Sequence, residues 1–139
     1  MKYRIAALAA VLLAGTAQAA TLTPADIAKR HVSAGGNIDT IMADYADDAV
    51  VLQDGKALQG KPEIRAFFEK MFPAKPAGAA AAPAAAPKMQ VKRIWQEGDI
   101  GYLTWEMGPV SATEEFLVRD GKILVQAVFM RGGPPAPAK

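Results

Sequence analysis

Two glutamates stand side by side at Glu114 and Glu115, inside a run from Val110 to Arg119 that reads as a strand. Successive strand side chains point to opposite faces, so one of the pair must turn inward. If Glu114 is that one, Ala112, Phe116 and Val118 share its face. Such neighbours disfavour a carboxylate anion and raise its pKa, which suits general acid-base work near neutral pH. A buried acid held by a hydrogen bond from Tyr102, Trp105 or His31 fits the same pattern. His31 is the single histidine and shares a helical face with Ile27 and Ala34. It either packs there or supplies a polar group that donates, accepts or changes charge near neutral pH.

Several chemistries are excluded. The chain has no cysteine, so disulfides, thiolate nucleophiles and cysteine-ligated zinc are ruled out. One histidine without HExxH spacing falls short of the three protein ligands that catalytic zinc needs, and no metal or cofactor is expected. Ser33 lies two residues from His31 on one helix, where side chains do not face each other. There is no phosphate loop and no dinucleotide fingerprint.

The elements that must position Glu114 and His31 are legible along the chain. Lys2 and Arg4 precede an apolar run from Ile5 to Ala14, and Ala17-Gln18-Ala19 closes it, the three parts of an export signal cleaved after Ala19. The run is too short for a membrane span, which takes about 20 apolar residues. The expected protein is therefore exported, periplasmic or secreted. Its 139 residues carry 16 basic and 14 acidic side chains. Removing residues 1–19 takes two of the former, so the mature chain is neutral, without steering toward nucleic acid or an anionic membrane. One domain is expected over 20–131, with an Ala/Pro-rich insertion at 73–87 and a flexible tail at 132–139.

Thr23-Pro24-Ala25-Asp26 starts a helix that ends at Gly35-Gly36. Asn37 caps a second, in which Ile38, Ile41, Met42 and Tyr45 share a stripe. Ala49 to Gln53 reads as a short strand followed by an Asp54-Gly55 turn, and Pro62 opens a third helix that stops at Pro73. Four strands follow: Met89 to Gln96, Ile100 to Met107, Val110 to Arg119 and Ile123 to Arg131. Helices followed by a meander predict an α+β domain with its three helices packed across an antiparallel sheet.

The stretch Tyr45-Ala46-Asp47-Asp48-Ala49-Val50-Val51-Leu52, then Gly60 and Ile64-Arg65-Ala66-Phe67-Phe68, resembles the SnoaL-like branch of the nuclear transport factor 2-like superfamily, which includes ketosteroid isomerase. The resemblance covers about residues 23–131 and implies a cone: a strongly curved sheet around a cavity, with dimers formed through the outer sheet face. It places Gln53 where the isomerases carry their carboxylate base, His31 on or near their tyrosine position, and Glu114 at their acid position. It also turns Leu103, Trp105 and Met107 inward, with Val125, Ala127 and Phe129 continuing the wall. Ile94, Tyr102, Leu117, Leu124, Val128 and Met130 then form the outer, dimer-forming face.

Two classes of function follow. One is an exported small-molecule-binding domain, its ligand apolar or amphipathic, held by an apolar cavity with a polar cluster of His31, Gln53 and Glu114. The other is a small isomerase, dehydratase or cyclase that uses Glu114, with His31, as general acid or base. An amide at Gln53 cannot take a proton at neutral pH, which favours the first.

Overall fold

A computed structural model describes residues 22–73 and 87–132. The expected leader, most of the Ala/Pro insertion and nearly all of the tail lie outside these residues. In chain order the elements are α1 (Pro24–Ser33), α2 (Ile38–Ala43), β1 (Tyr45–Gln53), β2 (Lys56–Gln59), α3 (Gly60–Met71), β3 (Gln90–Glu97), β4 (Ile100–Met107), β5 (Val110–Arg119) and β6 (Lys122–Arg131).

The start of α1 is fixed by a capping box. The Thr23 hydroxyl accepts the backbone N–H of Asp26 at 3.2 Å, and the Asp26 carboxylate accepts that of Thr23 at 3.1 Å. Asn37 caps α2 in the same manner, its side-chain oxygen accepting from Thr40 N–H at 3.0 Å. Helix α1 then crosses the sheet with its first turn against Gly101 of β4. A Cβ at that position would run into the Pro24 carbonyl oxygen, so only glycine admits this approach.

The six strands form one sheet in the order β2-β1-β6-β5-β4-β3. Neighbours are antiparallel except β1 and β6, which run parallel, so the sheet is mixed and not wholly antiparallel as expected. The reason is connectivity: β1 enters from α2 and takes its place beside the last strand. Strand β2 is an unexpected addition, joined to β1 by the Asp54-Gly55 turn with both residues at positive φ. Its four residues, Lys-Ala-Leu-Gln, are too few to carry an alternation. Tyr45, expected on the α2 stripe, is instead the first residue of β1, because α2 is only six residues long and ends before Asp44.

Bulges shape the sheet into the cone. The register shifts within β1 between Tyr45 and Val50, within β3 between Val91 and Arg93, and at the β5–β6 pair between Leu117 and Val118. The shifts at β3 and β6 each add one residue to the strand and the shift in β1 adds three, and each surplus bends its strand. The three helices cover the concave side, where Ile27, Ile64, Leu103, Phe116 and Ile123 are completely buried. No helix among the described residues is long and apolar enough to cross a membrane.

Candidate functional site

Cross-strand pairing identifies what shares the inner face with Glu114. Paired residues stand on the same side of a sheet. Glu114 pairs with Leu103 on β4 and Val128 on β6, and Val128 pairs with Gln53 on β1. The neighbouring rows are Phe116 with Gln126 and Val51, and Ala112 with Trp105 and Met130. Glu114 is thus the inward member of its pair, 8% exposed, whereas Glu115 is half-buried on the outer face beside Tyr102 and Ala127.

The bulge in β6 corrects part of the expected wall. Val118 pairs with Ile123 and Leu117 with Val125, leaving Leu124 as the extra residue. One additional residue inverts the alternation beyond it. Val125, Ala127 and Phe129 therefore lie on the outer face, paired with Leu117, Glu115 and Thr113, while Gln126, Val128 and Met130 face inward. Ile94 also faces inward, paired with Leu103. Tyr102 and Leu117 are outward, as read from the sequence.

Gln126, 3% exposed, supplies the polar partner that the sequence reading lacked. Its amide nitrogen donates to Glu114 Oε2 at 2.8 Å, and its carbonyl oxygen accepts the hydroxyl of Tyr45. The Trp105 indole N–H donates to Glu114 Oε1 at 2.6 Å. A buried chain from Tyr45 through Gln126 and Glu114 to Trp105 results, drawn from β1, β6, β5 and β4. Gln126 carried a usable signal, being the one polar residue between Ile123 and Met130. Tyr45 carried none, since its spacing from Ile38, Ile41 and Met42 reads equally well as helix.

Burial controls the electrostatics. It raises the Glu114 carboxyl above its ordinary pKa, against the opposing pull of the Trp105 and Gln126 hydrogen bonds. The Tyr45 hydroxyl is pushed far up, first by burial and then by the charges of Glu114 and Asp44. His31 is 8% exposed and burial lowers its pKa to about 4, so it is a neutral imidazole near pH 7. Its ring packs at 5.2 Å from Phe116, 5.7 Å from Tyr45 and 5.8 Å from Phe68. Nδ1 has no hydrogen-bond partner among the described residues.

The remaining expected residues divide by depth. Leu103, Phe116 and Val118 face inward but are packed into the core. Trp105 lies just below the surface, 7% exposed, and Met107 stands at the open rim with Val91 and Met130. Gln53 faces inward at the end of β1, two strands from Glu114, about 10 Å by ordinary strand spacing, and outside the hydrogen-bonded chain. Rings of His31, Tyr45, Phe68 and Phe116 fill the floor. Hollows of about 330 Å³ beside Pro24 and Asp99 and about 260 Å³ beside Thr113 and Phe129 do not reach Glu114. No group of three metal-ligating side chains occurs among the described residues.

This geometry is that of the nuclear transport factor 2-like cone, and solved structures share it. A nuclear transport factor 2-like protein of unknown function from Burkholderia xenovorans is 23% identical with TM-score 0.58, covering 81% of this chain and 85% of its own. A SnoaL-like protein of unknown function from Burkholderia thailandensis is 15% identical with TM-score 0.60, over 78% and 95%. An epoxide hydrolase from Mycobacterium tuberculosis is 17% identical with TM-score 0.53, over 76% and 80%. No curated protein matches the chain. The SnoaL-like domain family model matches residues 30–126, and the chain belongs to that family.

Proposed function

We propose that the protein is an exported small-molecule-binding domain that seats an apolar or amphipathic ligand at the rim of the cone, above Glu114. The observation that carries this reading is the amide of Gln53, which faces inward where the resemblance places the isomerases' base and cannot take a proton at neutral pH. Trp105 and Gln126 each donate one N–H to Glu114 and hold its carboxyl in place. The rim of Val91, Met107 and Met130 is apolar, and methionine adapts its shape to irregular ligands. Native mass spectrometry of protein purified from its own envelope tests the reading. A retained small molecule supports it, and a mass equal to the bare chain under conditions that preserve complexes counts against it.

The enzyme reading rests on a separate observation, a buried carboxyl with a raised pKa beside a neutral histidine. Glu114→Gln discriminates the two. Loss of turnover of an apolar carbonyl compound, with melting temperature and ligand binding unchanged, would establish catalysis.

The outer sheet face supports a homodimer. Ile100, Leu117, Val125 and Val50 form one half-buried apolar row across four strands. Trp95 stacks on Tyr102 at 4.8 Å alongside. Light scattering over a concentration series should return twice the chain mass, and a chain mass throughout would oppose it. Export is tested by N-terminal sequencing of the envelope fraction, which should begin at Ala20.

A further inference from the structure

Glu114 is a buried carboxyl without a cation. Among the described residues no lysine or arginine forms an ion pair with it, and its partners are a neutral indole and a neutral amide. Both partners donate N–H groups to it, an arrangement that satisfies a carboxylate. Two donors satisfy part of a carboxylate, which has about four lone-pair sites. Glu114 retains 8% exposure and Trp105 7%, and the apolar rim of Val91, Met107 and Met130 stands above them. Glu114 is therefore buried beneath that rim but not fully sealed from it.

The geometry points to a ligand that brings the missing positive charge: a primary or secondary ammonium group on a compact apolar body. The body lies against Val91, Met107 and Met130, and the ammonium donates to the open sites of the Glu114 carboxylate. A charge-assisted hydrogen bond to a buried carboxylate is roughly twice as strong as a neutral one. The indole face of Trp105 adds attraction for a cation, as aromatic faces do. A carboxylate ligand meets the opposite situation, like charges in a poorly solvated site. This inference rests on the binding reading above and specifies its ligand class.

Three probes with similar apolar bodies separate the two ideas: phenethylamine, 2-phenylethanol and phenylacetate, each titrated while the Trp105 indole N–H resonance is followed by NMR. The expected result is a saturable shift with the amine, at least about tenfold tighter than with the alcohol, and no binding of the acid. In Glu114→Gln the amine should lose that advantage while the alcohol binds as before. An amine no tighter than the alcohol, an acid that binds best, or an advantage that survives Glu114→Gln overturns the ammonium inference and leaves the binding domain standing. Failure of all three probes counts against both. Should Glu114→Gln not fold, the wild-type protein decides with N-acetylphenethylamine, which keeps the body and removes the charge. Equal affinity for the two compounds refutes the inference, and loss of affinity on acetylation upholds it.

Discussion

Asp44 and Glu114 are both buried carboxylates whose pKa burial raises, yet they are solved differently. Asp44, fully buried at the junction of α2 and β1, is paired with Arg30 of α1. Its backbone carbonyl also accepts Ile123 N–H of β6 at 2.8 Å. Its carboxylate ties the α2–β1 junction to α1, and its backbone carbonyl ties the same junction to β6. Glu114 has two neutral donors and a path to the surface. A carboxylate with a resident cation is a tie, and one without is an invitation. The difference lies in the partner, since burial is nearly the same.

Acid titration should produce the largest effect and bears on both sites. His31 has its pKa lowered by burial from 6.5 to about 4, so its contribution to stability is full above pH 6.5 and drains away toward pH 4. That contribution is about 3 kcal/mol from the size of the shift. The two carboxylates work in the opposite direction: their folded pKa values are raised, so acidification through those values relieves a burial cost. Urea melts of wild type and His31→Phe at pH 7 and pH 4 check this. The difference between the proteins should widen by about 3 kcal/mol at the lower pH in favour of the phenylalanine.

Removing one partner of the tie comes next. Arg30→Met leaves Asp44 buried without its cation and should cost about 2 kcal/mol, below the range for fully buried pairs because Arg30 is partly exposed. Adding Asp44→Asn should restore most of the loss in the same melts. Tyr45→Phe is smaller. It strands the Gln126 carbonyl oxygen in the core and should cost about 1 kcal/mol, read by thermal denaturation. Smallest of all is Glu114→Gln, which should leave stability within about 1 kcal/mol of wild type or raise it. The Gln126 amide can reverse to accept from the new amide while still donating to Tyr45. A large loss there would make Glu114 a tie like Asp44.

Much of this was legible in residue order. Thr23 through Asp26 specify a capped helix start, and the breaks at Gly98-Asp99, Gly108-Pro109 and Asp120-Gly121 delimit the meander, with β4 and β5 read at their observed limits. Alternation required one of Glu114 and Glu115 to turn inward and the resemblance singled out Glu114; β5 is regular over that span, with Phe116 on the same face. What failed were the features that local pattern does not encode. The parallel β1–β6 pairing joins segments more than seventy residues apart, Val50 with Val125 for example. The Leu124 bulge is invisible in a run where every residue from Ile123 to Val125 is aliphatic, so Val125 and Ala127 were assigned to the wrong face. Gln53 was brought to the inner face but not to the hydrogen-bonded chain, because distance across strands is set by sheet order.

That single surplus residue in β6 has a wider consequence. Deleting Leu124 would leave Ile123 opposite Val118 and Val125 opposite Leu117 in plain alternation, so Gln126 and Val128 would stay inside the cup. What the deletion would remove is the local bend that the surplus residue puts into β6. Leu124 therefore sets how sharply the wall turns, while the identity of the lining is held by the pairs on either side of it.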